Sequence, residues 1–293
     1  MILRRAILWL ALPVLVAGCG EHRVKPPVTS PAAPAASLVI SEGFGAKVVR
    51  DERVAPGQSV LAALQGVAKV STRYGGRFVQ SIDGKEGSLD RGEDWLYFVN
   101  GVEADVGAAE WTLRDGDVAW WDFRRWRAYA NVPAVVGAWP EPFVHGARTK
   151  PASVVADPPL AAVLKAAGAP VGTGAAAFRV LVGAESDLRS RDADWRRAGE
   201  DPRAAGLTAW VAGGAVRRWD GAAGKEVAVP EGRAVAAATA TAEGGVVFAV
   251  AGVDPASATA AATAIAGNAA LLDHRYAVIF DGAGAPIAYG GGS

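Results

Sequence analysis

Short runs of apolar residues, interrupted by Gly, Asn and Asp, make up much of the first third of the chain beyond residue 37. The runs that begin at Leu38, Trp95, Trp111 and Val118 predict β-strands from their composition. The pairs Asn100–Gly101 and Asp115–Gly116 fall between such runs. Tight turns need positive φ, which Gly, Asn and Asp tolerate, so both pairs predict hairpins.

One segment in this region has helical rather than strand periodicity. Residues 59–65 place Val60, Leu61 and Leu64 on one face of a helix. One helix among several short strands predicts a small α+β domain in which a sheet grasps the helix. We therefore expect a β-grasp-like fold over residues 38–130.

The second half of the chain mixes strand and helix signals. Apolar runs at residues 178–182 and 246–250 predict buried strands. The pairs Asp157–Pro158 and Asp254–Pro255 predict helix N-termini, because Asp caps a helix and Pro suits its first turn. The mixture predicts a mixed α/β domain after a proline-interrupted joint. The predicted boundaries are 131–154 for the joint and 155–293 for the C-terminal domain.

The N-terminus has the pattern of a bacterial lipoprotein signal. Arg4 and Arg5 precede a short apolar run that ends in Val-Ala-Gly-Cys at Cys19. That ending resembles a lipobox, which implies a signal peptide over residues 1–18 and diacylation of the Cys19 sulfur. The alternative is an ordinary secretory signal with an incidental cysteine. Residues 19–37, rich in Pro, Ala and Ser, predict an extended tether.

Charge and cysteine content narrow the classes of partner. Lys and Arg together number 30, as do Asp and Glu, so no basic surplus indicates nucleic acid. Cys19 is the only cysteine, and once it carries lipid no disulfide can form within the chain. We expect a chain that is lipid-anchored to the cell membrane on its extracytoplasmic face and stabilised by packing.

The run 118–126 mixes indoles with charges on one side. Side chains alternate across a strand, so Trp120, Asp122, Arg124 and Trp126 share a face. Amphipathic aromatics beside charges are typical of a binding surface. Alternatively, arginine covers tryptophan, or the face packs against the second domain. The candidate ligand-binding residues are Trp95, Tyr97, Trp111, Trp120, Asp122, Arg124 and Trp126.

Signals of catalysis are weak. His22, His145 and His274 lie far apart, in the tether, the joint and the C-terminal region, and their spacing fits neither a metal site nor a catalytic triad. No glycine-rich segment has the strand–loop–helix context of a phosphate site. We expect no catalytic residue, no metal site and no cofactor.

Several short motifs together resemble the DUF4430 family, over residue 38 to about residue 123. The resemblance implies a β-grasp fold, similar to the C-terminal domain of the vitamin carriers transcobalamin and intrinsic factor. It also implies corrinoid contact in those carriers, and surface capture of a ligand or partner in lipoproteins. The motifs are Tyr74-Gly75-Gly76, Val79-x-Ser81-Ile82-Asp83-Gly84, Trp95-x-Tyr97-x-Val99-Asn100-Gly101, Gly107-Ala108 and Leu113-x-Asp115-Gly116-Asp117-Val118-x-Trp120.

These observations predict a cell-envelope lipoprotein that binds a small ligand without catalysis, with a corrinoid as the candidate ligand. The alternative is a structural or protein-interaction module, whose aromatic face docks onto the C-terminal domain or an envelope protein. Accessible indoles would favour the first hypothesis, and buried indoles the second.

Overall fold

The computed structural model describes residues 33–126, 131–220 and 224–288. The predicted signal peptide, Cys19 and all but the end of the predicted tether lie outside this range. From Pro34 onward the chain forms one compact unit. Within the described ranges, no helix is long and apolar enough to cross a membrane.

The N-terminal part is built from short strands and one α-helix. A single turn of 3-10 helix, Tyr74–Gly76, lies between two of the strands. The elements are β1 (Ala36–Glu42), β2 (Lys47–Val54), α1 (Val60–Val67), β3 (Val70–Arg73), β4 (Phe78–Ile82), β5 (Lys85–Glu86), β6 (Glu93–Val99), β7 (Val102–Glu103) and β8 (Val118–Arg125).

Five of these strands form a sheet that packs against α1. The order is β2-β1-β8-β6-β7, with β1 and β8 parallel and the other neighbours antiparallel. Apolar side chains of α1, including Leu61 and Leu64, share a core with Trp121 and Phe123 of β8. Strands β3, β4 and β5 form a separate three-stranded sheet. The predicted β-grasp-like α+β architecture is confirmed.

Local signals in this part were accurate for the helix and less so for one strand. Ser59 caps α1, because its hydroxyl accepts a hydrogen bond from the Ala62 N–H at 3.1 Å. The run 111–113 was expected to be a strand, but it makes only an isolated bridge between Thr112 and Ser59. The run instead passes beside the start of α1, where Val60 N–H donates to the Trp111 carbonyl.

The C-terminal part contains the remaining strands and four α-helices within the described residues. The elements are β9 (Val154–Ala156), α2 (Leu160–Ala166), β10 (Phe178–Ala184), α3 (Glu185–Arg191), α4 (Ala193–Glu200), β11 (Ala209–Ala212), β12 (Ala215–Asp220), β13 (Lys225–Ala228), β14 (Ala234–Ala240), β15 (Val246–Gly252), α5 (Pro255–Gly267), β16 (Val278–Phe280) and β17 (Pro286–Ile287).

A six-stranded mixed sheet forms the centre of this part, in the order β17-β16-β14-β15-β10-β9. Helices α2 and α5 contribute Leu164 and Ile265 to the core on one face. Trp195 of α4 and Trp210 of β11 belong to the core on the other face. Because β14 and β15 are covered on both faces, their side chains are apolar almost throughout.

The two predicted helix caps had different outcomes. Asp254 caps α5 through a hydrogen bond from the Ser257 N–H to its carboxylate at 2.8 Å, as expected. Asp157 does not cap α2, which begins at Leu160 after Pro159. Its carboxylate instead accepts from the Val182 N–H at 2.8 Å.

The predicted joint packs against both parts. Phe143 lies in the C-terminal core, and Val135 N–H donates to the Gly101 carbonyl at 2.9 Å. Val132 and Val135 also join a small cluster with Trp120 and Tyr276. The boundaries at residues 130 and 155 stay predictions.

Gly45 marks a close approach between the two parts. Its φ is +75°, and a Cβ there would overlap the His274 carbonyl oxygen and lie 3.0 Å from Cζ2 of Trp120. Gly57 has a similar φ of +84°, but a Cβ there would meet nothing within 4 Å. Substitutions at these two glycines therefore distinguish the cost of backbone strain from the cost of steric overlap.

We predict that Gly45→Ala lowers the free energy of unfolding by about 2–4 kcal/mol, through strain and overpacking together. Gly57→Ala, which adds strain alone, should cost about 1 kcal/mol. Urea unfolding of both variants measures the difference. Equal losses would show that the approach of His274 to Gly45 is not tight.

Candidate functional site

The seven predicted site residues do not form one surface. Cross-strand pairing aligns Trp95 with Phe123 and Phe98 with Trp120. Trp95 therefore shares the face of Phe123, which packs on α1, whereas Trp120 lies on the opposite face. The expectation of a single aromatic face containing both was wrong, because the register of β6 against β8 separates them.

Three of the seven residues lie on the α1 side of the sheet. Trp95 is buried, and its Nε1–H donates to the Lys85 carbonyl at 2.9 Å. The half-buried Tyr97 stacks on Trp121 with ring centroids 4.7 Å apart, and burial raises the pKa of Tyr97. Trp111 is also buried, beneath the guanidinium of Arg148.

On the opposite face, Trp120 and Asp122 are buried in a hydrogen-bonded cluster. Trp120 Nε1–H donates to Ser41 Oγ at 2.7 Å, and Ser41 Oγ donates to Asp122 Oδ1 at 2.6 Å. Asp122 Oδ2 accepts from the Tyr276 hydroxyl at 3.0 Å and from the Phe44 N–H at 2.9 Å. Burial raises the pKa of Asp122, although the hydrogen bonds from Ser41, the Gly45 N–H and Tyr276 oppose the rise.

Arg124 lies beside the same cluster and is 1% exposed. Its guanidinium carbon is 5.5 Å from the ring centre of Phe44 and 5.9 Å from that of Tyr276. Its Nη2 is 3.5 Å from Glu103 Oε1, and burial raises the pKa of Glu103. We name the group Ser41, Trp120, Asp122, Arg124 and Tyr276 the buried brace.

The buried brace is an internal contact between the β-grasp part and the segment before β16. Trp120, Asp122 and Arg124 are at most 1% exposed, so a ligand could reach them only if this contact opened. Ligand binding by these three residues stays a prediction, and it requires that this contact opens. Trp126 is half-buried at the end of β8, where its N–H donates to the Gly92 carbonyl.

An open groove lies elsewhere, at the three-stranded sheet. It encloses about 540 Å³, within the range of about 300–1,000 Å³ common for small-molecule sites. Tyr74, Phe78 and Leu89 supply its apolar lining. Tyr74 and Leu89 are 80% and 77% exposed, and exposed apolar groups that gather in one place, rather than singly, mark interaction sites. We name this site the Tyr74 groove.

Tyr74 is held in a strained backbone conformation. Its φ is +53°, and the following Gly75 and Gly76 also have positive φ. Asn or Gly would adopt this conformation at lower cost, so the turn places a large exposed ring where stability favours a small residue. Such outliers concentrate at functional sites.

Acidic groups predominate in the polar lining of the groove. The lining holds Arg73, Glu86, Asp90 and Asp94. Arg73 Nη2 lies 3.6 Å from Glu86 Oε1, and Gln80 Nε2 donates to the same oxygen at 2.8 Å. Asp94 and Asp90 add two further carboxylates on the same site.

Asp94 is set into the groove wall by close backbone packing. Its Oδ1 accepts from the Trp95 N–H at 2.8 Å. A Cβ at Gly87 would overlap that oxygen and lie 2.9 Å from Cγ, so only glycine allows the carboxylate this position. Burial raises the pKa of Asp94.

Sequence reasoning missed this groove, although part of its signal was present. Tyr74-Gly75-Gly76 forms a tight turn, and a tyrosine in a glycine-rich turn is a candidate exposed side chain. Asp94 directly precedes the predicted strand at Trp95 and is not among the candidate site residues. Among the described residues, no group of three or more His, Cys, Asp or Glu side chains is placed to hold a metal ion.

Comparison with known proteins agrees with the family resemblance. Residues 57–125 match the family model described as "Domain of unknown function (DUF4430)". This segment contains the whole Tyr74 groove. No curated protein matches the chain.

Two solved structures resemble a limited part of the chain. One is a "putative metal binding protein" from Ruminococcus gnavus, at 12% identity and a TM-score of 0.27, covering 31% of this chain and 97% of that one. The other is haptocorrin in complex with Cbi, at 12% identity and a TM-score of 0.26. It covers 31% of this chain, which spans only a quarter (25%) of haptocorrin.

The hydrogen bond between Tyr276 and Asp122 should contribute measurably to stability. We predict that Tyr276→Phe lowers the free energy of unfolding by about 1–2 kcal/mol, because a buried acceptor loses a donor. Combined with Asp122→Asn in a double-mutant cycle, it should give a coupling energy of about 1–3 kcal/mol.

Tyr97→Phe is the control for this cycle. Tyr97 donates its hydroxyl to the Val106 carbonyl on the other face of the sheet, so it should be additive with Asp122→Asn. If the effects of Tyr276→Phe and Asp122→Asn on the free energy of unfolding were also additive, that result would contradict the buried brace.

Proposed function

We propose that this protein is a non-catalytic ligand-capture lipoprotein of the cell envelope, with the Tyr74 groove as its binding site. The observation that carries the proposal is a groove of about 540 Å³ that exposes two large apolar side chains, Tyr74 and Leu89, beside carboxylates. Pockets with apolar walls and a few placed polar groups are the usual form of small-molecule sites.

The position of the groove also supports capture. Tyr74 lies on a turn between β3 and β4, and Leu89 lies between β5 and β6, so both are presented by short connections on a rigid sheet. Binding residues are often carried in this way, on loops that a scaffold holds in place. Neither residue belongs to any of the hydrophobic cores of the described chain.

Absence of catalysis remains part of the proposal. The groove lining includes Ser88, but it contains neither a histidine nor a lysine that could activate that hydroxyl. Its chemistry is that of recognition, with aromatic, aliphatic and carboxylate groups. A corrinoid is the first ligand to test, because the motifs resemble a family related to vitamin carriers.

A second candidate function is that of a structural or interaction module, which the burial of Trp95, Trp111 and Trp120 favours, as does one exposed edge strand. β2 is an edge strand of the five-stranded sheet, and its Val48 and Val49 are each 43% exposed. An exposed edge can accept a strand from another protein. Charged side chains of both signs along β2, such as Arg50 and Glu52, oppose unselective pairing of this kind.

Membrane attachment through Cys19 gives a direct test of the envelope role. We predict that the wild-type chain incorporates an alkyne-labelled fatty acid and fractionates with membranes, and that Cys19→Ser loses the label. A wild-type chain that is unlabelled and recovered in the soluble fraction would contradict lipid anchoring. It would leave the groove proposal unaffected.

Ligand capture can be tested by ligand-observed NMR of an amphipathic fragment library together with cobinamide. We predict hits whose affinity falls about three- to tenfold in Leu89→Ala, because buried aliphatic contact is lost. The control, Val49→Ala, removes exposed apolar area from β2, outside the groove, and should change nothing. Hits that respond to neither variant would place binding outside the groove.

A further inference from the structure

From the chemistry of the Tyr74 groove we infer that its ligand is an organic cation, meaning an ammonium or guanidinium group on an apolar body. The inference rests on the proposed function, since it names the class of ligand for the same groove. Aromatic rings, an uneven charge balance and the placement of one carboxylate support it.

Aromatic rings in the groove suit a cation. Tyr74 and Phe78 both line it, and the negative face of an aromatic ring attracts ammonium and guanidinium groups. Recognition of quaternary ammonium ligands by aromatic residues is a frequent use of this interaction. Leu89 offers an aliphatic contact for the remainder of such a ligand.

The charges of the lining favour the same class of ligand. Three carboxylates and one guanidinium line the groove, so its formal charge is 1 − 3 = −2. Arg73 is already paired with Glu86, which leaves the charges of Asp90 and Asp94 to attract a cation. An anionic ligand would be repelled by both carboxylates.

The position of Asp94 strengthens this attraction. The carboxylate is half-buried against the backbone at Gly87, where water screens a charge less than at an open surface. Burial raises the pKa of Asp94, so the groove wall disfavours the ionised form. A bound cation would favour that form.

Two costs to stability therefore coincide in this groove. Tyr74 occupies a conformation that favours glycine or asparagine, and Asp94 occupies a site that disfavours its charge. Groups that lower stability and share one cavity are typical of sites kept for function. A neutral ligand would explain the tyrosine but not the carboxylate.

Three probes with a common phenyl ring test the inference. Isothermal titration calorimetry would use phenethyltrimethylammonium, 2-phenylethanol and 3-phenylpropionate against the full chain in non-ionic detergent, with empty micelles as the blank. We expect the cation to bind at least ~10-fold more tightly than the neutral alcohol, and the anion not to bind.

Variants assign the effect to the groove. Asp94→Asn should weaken the cation about five- to tenfold and leave the neutral probe unchanged, while thermal stability is kept or raised. Tyr74→Asn should weaken both probes. Glu52→Gln removes a carboxylate from β2, outside the groove, and should change neither. Asp90→Asn is the second charge variant, used if Asp94→Asn fails to fold.

The outcomes separate the inference from the proposed function. If the alcohol binds as tightly as the ammonium and both respond to Tyr74→Asn, the groove binds ligands but the cation class is wrong. If none of the three probes binds up to about 10 mM, which corresponds to less than 3 kcal/mol of binding free energy, the groove proposal fails with it.

Discussion

A carboxylate buried away from water must be surrounded by hydrogen-bond donors. Asp122 is such a carboxylate, and the fold has to bring donors to it. Its oxygens accept from Ser41 of β1, from the backbone of the turn after β1, and from Tyr276 before β16. These donors are 77 to 154 residues away in the sequence, so they meet only when both parts of the chain have folded. The brace thereby fixes β1 beside β8 and holds the C-terminal part against the same sheet.

The Tyr74 groove is connected to the same sheet through strand β6. Strand β6 begins at Glu93, next to the groove residue Asp94, and continues to Phe98, which contacts Trp120 and Tyr276 in the brace. Phe98 lies four positions beyond Asp94 along the strand, a distance of about 13 Å. One strand thus carries an enclosed, hydrogen-bonded contact at one point and an open acidic groove at another. Rigidity in the first supports precise placement of groups in the second.

Sequence patterns predicted the individual strands and turns more accurately than the contacts between them. Hairpin chemistry placed the turn at Asn100 and Gly101, where φ is +54° and +73°, because that requirement is local. Alternation along β8 correctly separated Trp120 from Trp121, since the period of a strand is fixed. The grouping of Trp95 with Trp120 failed because it depends on the register between two strands. The approach of Tyr276 to Asp122 is likewise tertiary, and no local pattern encodes it.

The candidate site shows why composition alone misdirects the search for function. Indoles beside Asp and Arg are typical both of a binding surface and of a buried contact that is fully hydrogen-bonded. Burial decides between them here: the charged residues near Trp120 have their donors and neighbours within the chain. The groove has a less conspicuous composition, yet it combines exposure, a positive φ at Tyr74 and a carboxylate in a disfavoured position. Groups that lower the stability of the fold are therefore the better guide to function in this chain than groups that are merely rich in tryptophan.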